Sequence, residues 1–309
     1  MKKNILVILA FSMFIISSFA TPTVVYAGVS VSVLVKDSKG AGISGVPVEY
    51  YSGGWQSFGT TDSNGVVSKD LPSGSYTFRV SYAGVSMQKL QNIGSDPNVV
   101  FQTTLVTMKL LDSKNNEIAG GAQYYANGWK QFGGGTTTTT MELLPLNYAF
   151  MVSYGGASMQ KWQDVSKDPV VVFQTKLVTM KLLDSGNNPL AGGAEYYANG
   201  WKTFGSGTTT TTMELLPLNY AFRVSYGGAS MQKWQDVSVN PTVEFKTVLV
   251  TMKLRNSGNT ADLGGGAEYY SDTYHKFGSG TTETTMELLP LNYAFRVSYA
   301  RARSFIRYD

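Results

Sequence analysis

Residues Met141 to Ser166, MELLPLNYAFMVSYGGASMQKWQDVS, return at Met213 to Ser238 with one change in twenty-six positions, Met151 becoming Arg223. A third copy opens at Met286 and a looser one runs from Leu71 to Gly84. A chain that copies itself this closely folds as an array, and the unit is read before the residue. Met108, Met180 and Met252 lie 72 residues apart, as do Trp129 and Trp201, while Tyr148, Tyr220 and Tyr293 are separated by 72 and 73. These anchors predict four units over residues 28–103, 104–175, 176–247 and 248–299, the last incomplete. Such units exceed the repeat of about 20–50 residues usual in solenoids and propellers, and suit small domains strung in series.

The ends differ from the array. Lys2 and Lys3 precede an apolar stretch from Ile5 to Phe19, and Val25-Tyr26-Ala27 offers a small-residue cleavage site, so residues 1–27 are expected to be a secretory signal peptide. No later segment is apolar for long enough to suggest a stable membrane span after cleavage. The chain has no cysteine, so an exported array of this kind relies on packing rather than disulfides. After Tyr299 the repeat would continue GGASMQKWQD, but the sequence gives ARARSFIRYD, an aberrant basic tail over 300–309 that reads either as a natural disordered tail or as the mark of a frameshift or truncated gene. Without the two signal lysines and those ten residues, 20 basic side chains balance 20 acidic ones. A neutral array has no electrostatic footprint for nucleic acid.

Within the third unit, Tyr220, Phe222, Val224 and Tyr226 alternate with Ala221, Arg223 and Ser225, the signature of a half-buried strand. Val178-Met180-Leu182 and Val243-Phe245-Thr247 alternate likewise. Ala194–Ala198, Trp201–Phe204, Thr208–Met213 and Met231–Val237 bring the strands to seven. Turn signals separate them, at Asp184–Asn188, Asn199-Gly200, Gly205–Gly207, Pro217–Asn219 and Asn240-Pro241. Seven short strands in 72 residues predict an all-β fold, a tandem array of four small immunoglobulin-like antiparallel β-sandwiches. Phe173 to Val178 passes from one unit into the next without a Pro-, Gly- or Ser-rich linker, which predicts a stiff rod.

The first unit carries V-x-D-x-x-G at Val35–Gly40, G-V-x-V at Gly45–Val48, T-D-x-x-G at Thr61–Gly65 and L-P-x-G-x-Y at Leu71–Tyr76. This order resembles the carboxypeptidase-regulatory-like, prealbumin-like and collagen-adhesin B-type family, and the units are similar to tandem repeats of exported Gram-positive bacterial surface proteins. The resemblance implies stalks, spacers or adhesive modules. In units two to four the T-D-x-x-G turn is replaced, as at Gly134–Thr140. Some adhesin B-type domains carry a Lys–Asn or Lys–Asp cross-link set by a buried acid. Lys109, Lys181 and Lys253 with Glu142, Glu214 and Glu287 resemble two of its three parts. The third is poor, since only Asp168 or Asn240 precedes the last strand, and the lysines are expected to be ordinary surface residues.

Catalysis has little to stand on. There is no thiol, one histidine (His275, where units two and three have Lys130 and Lys202), and no recurring acidic pair. The Asp112–Glu117 loop has oxygens suited to calcium but not the EF-hand spacing, and reads as a β-turn. No metal or cofactor is expected. Paired aromatics are the candidate ligand-facing residues: Tyr51 and Trp55, Tyr125 and Trp129, Tyr197 and Trp201, Tyr270 and Tyr274. Adjacent tyrosines on a strand face opposite ways, so one of each pair leaves the core. Outward rings stack on sugars or anchor a protein partner. The competing reading puts Trp201 and Phe204 inside, with Trp162 and Trp234 as core or rim residues. Two functions fit this pattern: a non-catalytic surface stalk or adhesive module, or carbohydrate-binding accessory repeats of a polysaccharide-degrading system, with polysaccharide or another surface protein as partner.

Overall fold

Alternation of apolar side chains dictates seven strands in the first unit: β1 (Val29–Lys36), β2 (Pro47–Tyr51), β3 (Trp55–Thr60), β4 (Val66–Leu71), β5 (Ser75–Tyr82), β6 (Val85–Asn92) and β7 (Asn98–Gln102). The computed structural model describes residues 28–299 and the backbone of 302–307. The expected signal segment, 1–27, lies outside the described residues. The first unit forms two layers, a four-stranded sheet in the order β3-β2-β5-β6 and a three-stranded sheet in the order β4-β1-β7. One pairing is not legible from alternation: β1 runs parallel to β7, with Val33 opposite Val99 and Val35 opposite Phe101. All other pairings within the unit are antiparallel.

Units two and three repeat this plan. In unit three the inner faces contribute Val178, Met180 and Leu182 from one layer and Ala194, Tyr196, Phe204, Phe222 and Val224 from the other, closed by Val243 and Phe245. Tyr196, Phe204, Phe222 and Tyr220 meet edge to face or tilted at 5.9–6.2 Å between ring centres, the arrangement that aromatic quadrupoles favour. The hydroxyl of Tyr220 donates to the carbonyl of Leu216 at 3.1 Å, as Tyr148 does to Leu144 at 3.0 Å. Burial pushes both phenols well above their ordinary range.

The threonine run does not form one strand. Trp201–Thr208 ends, and Thr211–Leu215 begins, on either side of a turn in which Thr210 takes a left-handed φ of 63°. Thr209 is buried there, accepting from the amide of Gly192 at 3.0 Å and donating to the carbonyl of Leu190. These bonds compete with the ladder and carry the chain from one layer to the other.

Unit four departs from the plan. Residues 302–307 pair with Ala294–Tyr299 in the register of a sixth strand, Tyr299 opposite Ala302, so part of the expected tail continues the sheet. Among the described residues, Val248–Met252 pairs only with Thr284–Leu288 and has no parallel partner. Its cluster is correspondingly small, and Phe295 and Val297 are only partly buried where Phe222 and Val224 are fully so. Among the described residues, the buried hydroxyl of Tyr293 has no hydrogen-bond partner.

Candidate functional site

Two features recur with the unit and are built from its copied segment: the joint between units and the outer face of the four-stranded sheet.

At each joint a glutamate clasps the unit before it. Glu214 lies on Thr211–Leu215, opposite Leu177. Its carboxylate accepts from the hydroxyl of Thr175 at 2.5 Å, and from the hydroxyl and, at 3.3 Å, the amide of Ser113, a turn residue of unit two. Glu142 accepts from Thr103 and Ser38 in the same way, and Glu287 from Thr247 and Ser185. Donors aimed at an ionised carboxylate form strong bonds. For Glu287, desolvation works upward, but the bonds from Ser185 and Thr247 prevail and hold its carboxyl below the usual range. Thr175 is itself buried, its amide donating to the carbonyl of Leu111 at 2.9 Å. The connection between units is thus pinned on both sides.

The next two residues divide between two cores. Leu143 packs in the core of unit two, but its neighbour Leu144 is buried in the core of unit one. Leu216 likewise enters unit two, and Leu289 unit three. Adjacent side chains that point opposite ways make this division possible. Unit one carries Asp70 and Pro72 where the later units carry the clasping glutamate and the inserted leucine.

A third contact closes the other side. The hydroxyl of Tyr196 donates to the carbonyl of Gly155 at 2.7 Å, Tyr124 to Ala83 at 2.9 Å and Tyr269 to Gly227 at 2.9 Å. Burial raises all three phenols. The accepting residues sit in two-residue hairpins with positive φ, 60° and 86° at Gly155 and Gly156, which glycine adopts without steric cost. A Cβ on Gly156 would stand 2.9 Å from the carbonyl oxygen of Ala198 in the next unit. Lys202 of unit three lies over this hairpin, and His275 takes that place over Gly228, its Nε2 2.6 Å from Asp272. That contact is the first cause of the Asp272 carboxyl falling to about 2.

The cross-link geometry is absent where its residues are described. Lys109 pairs with Glu117 instead of Glu142, which is engaged at the joint. In the Asp112–Glu117 loop, Asp112 accepts from the amides of Lys114 and Asn116 at 2.8 Å, a β-turn. Among the described residues, no cluster of three histidines or acids is suited to a metal ion.

The eight aromatics picked out from sequence all lie on the outer face of the four-stranded sheet, paired across strands. Tyr51 meets Trp55, Tyr125 meets Trp129, Tyr197 meets Trp201 and Tyr270 meets Tyr274, edge to face at 5.2–5.6 Å between ring centres. The tyrosine pairs divide as alternation requires: Tyr196 is buried and Tyr197 is 46% exposed. Trp201 stays outside while Phe204 is inside.

Trp162 and Trp234 are neither core nor rim, at 66% and 65% exposed. The register explains why: Trp201 lies opposite Tyr197, Tyr197 opposite Ala221, and Ala221 opposite Trp234. One row of side chains therefore crosses all four strands. Ala221, though on the outer face, is 4% exposed. In the adjoining row Thr203, Glu195, Arg223 and Gln232 succeed one another. The sequence carries a signal for Trp234, since it is in phase with Ser230 and Gln232 and out of phase with Met231.

No family model and no curated protein matches the chain. Among solved structures, the Bacillus anthracis TIE protein is 13% identical over 72% of this chain and 50% of its own, with a TM-score of 0.22; the chain thus spans about half of that protein. A streptococcal ancillary pilin is 13% identical over 71% of this chain and 98% of its own, TM-score 0.20. BcpA, the major pilin subunit of Bacillus cereus, is 12% identical over 71% and 98%, TM-score 0.19. Overlays at these scores carry no weight for function. No helix among the described residues is long and apolar enough to cross a membrane.

Proposed function

We propose that this chain is a non-catalytic, exported bacterial repeat protein that serves at the cell surface as a stalk or adhesive module, its units held in line as a rod. The observation that carries this reading is the joint. Each is fixed by a carboxylate clasp, a leucine shared between cores and a tyrosine hydroxyl on the neighbouring hairpin. A flexible binding array needs none of these, whereas a spacer that must hold a distance needs all of them. The signal-like start supports an extracellular setting. Another surface protein or a polysaccharide is the expected partner, and not nucleic acid, given the neutral charge balance of the array.

Small-angle scattering on the full chain tests the rod. With strands of 5–8 residues, each unit adds on the order of 25 Å, and four give a maximum dimension of roughly 100 Å. Replacing Glu214 and Leu216 together by alanine is expected to shorten that dimension and broaden its distribution. A wild-type profile already typical of a flexible chain removes the reading.

A further inference from the structure

We propose that the outer aromatic row of units two and three is a binding site for an uncharged, extended polysaccharide, with Trp162 and Trp234 as its principal contacts. This deepens the adhesive half of the function proposed above and rests on it. Scattering tests the rod and retention on glycan tests the site, so one can fail without the other.

The geometry sets the ligand's shape. Ala221 lies between Tyr197 and Trp234, one strand away from each. Their strands therefore stand two spacings apart, on the order of 9–10 Å, with Ala221 covered between them. That separation lets two flat rings hold alternate residues of an extended oligosaccharide. Trp201 serves a different purpose: Arg223 covers it at 4.1 Å from the ring centre, and Tyr197 meets its edge. It buttresses the row from one side. Trp234 has no ring or cation stacked on it among the described residues and leaves its indole open. Unit two builds the same row from Trp129, Tyr125, Ala149 and Trp162.

Chemistry selects the class. The row is a sheet face whose backbone groups are spent in the ladder, so a peptide cannot add to it as a strand. Of the charged neighbours in unit three, Arg223 and Glu195 neutralise each other at 2.7 Å. Asp236, opposite Asn219 in the row beyond Trp234, is an exposed carboxylate that accepts from the amide of Ser238 at 2.8 Å. Thr203, Gln232 and Asn219 are uncharged donors and acceptors. A face of open rings edged by amide, hydroxyl and carboxylate groups complements a pyranose, which is apolar on its faces and hydroxylated at its rim, and its exposed carboxylate repels polyanions. Charge complementarity thus excludes acidic glycans and nucleic acid. Two copies of one platform also suit a polymer, which both can engage at once.

The full chain is to be incubated with insoluble cellulose, chitin, β-1,3-glucan, xylan and mannan at neutral pH. Retention on at least one of these is expected, unchanged by added salt. Trp162→Ala with Trp234→Ala is expected to weaken retention about tenfold or more. Both tryptophans are exposed, so the variant's melting curve should match the wild type. Val239→Ser, at an exposed turn residue off the face, should be retained normally. No retention on any of the five, retention abolished by salt, or equal retention of the tryptophan variant overturns the proposal.

Discussion

Arg223 donates from Nε and from a terminal nitrogen to one carboxylate oxygen of Glu195, at 2.8 and 2.7 Å, with its guanidinium 4.1 Å from the centre of the Trp201 ring. Arg79 and Glu49 over Trp55, and Arg296 and Glu268 over Tyr274, repeat the triplet. Unit two has Gln123 where the others have the glutamate, and Met151 where they have the arginine. The one difference within the copied segment is therefore half of a paired exchange across two strands.

That pairing predicts coupling. In unit three, Glu195→Gln and Arg223→Met are expected to be non-additive by less than about 1 kcal/mol, because both side chains are about a third exposed and solvent screens the pair. In unit two, Met151→Arg alone should destabilise relative to Met151→Arg with Gln123→Glu. Urea unfolding of the single and double variants measures both. Strict additivity would show that the two exchanges are unrelated.

Leu216→Ala should cost about 2–5 kcal/mol, as for other fully buried leucines, and the cost should fall on the wrong unit by sequence. Leu216 lies in unit three but packs in the core of unit two, while Leu215 packs in unit three. Hydrogen exchange is therefore expected to rise mainly in unit two for Leu216→Ala and in unit three for Leu215→Ala. Identical exchange patterns for the two variants would contradict a shared core.

The joint between units three and four should loosen in acid. Glu287 has its carboxyl held below the ordinary value of 4.5 in the folded chain. Its contribution is complete above that value and is lost as the pH falls through the lower folded one. Exchange at Ser185 and Thr247 should accelerate below about pH 4.5, and Glu287→Gln should flatten that dependence. A variant with the same acid profile as the wild type assigns the loosening to another group.

Unit four should unfold first. Among the described residues its sheet lacks the parallel strand that supplies Val243 and Phe245 in unit three, and each such side chain contributes about 1.5–3 kcal/mol when fully buried. Amides of Val248–Met252 are expected to exchange faster than those of Val178–Leu182 by several orders of magnitude. Equal protection in the two segments counts against this ranking.

Strand number, unit length and the outward tyrosines are legible because each rests on a period, 2 or 72, that side chains print directly into the sequence. The parallel pairing of β1 with β7 is not, since alternation is blind to strand direction. Nor are the joints: Glu214 and Leu216 read as a surface acid and a core apolar residue of their own unit, and only the fold shows both reaching backwards. The copied segment therefore carries the joints as well as a core strand. The segment holds the clasp and the leucine that grip the unit before, and the Gly155-Gly156 hairpin that receives the tyrosine of the unit after. Trp234 is easily misplaced because its size suggests burial, although its phase with Ser230 and Gln232 points outward.

The leucine that each unit lends to its predecessor gives the chain a direction in time. Unit one ends at Gln102, yet its interior is closed by Leu144, some forty residues further on. Unit two waits in the same way for Leu216, and unit three for Leu289. A polypeptide delivered from its N-terminus, whether by a ribosome or an export channel, thus completes each unit only as the next is emerging. The last side chain of each of these cores comes out one unit behind the core it fills.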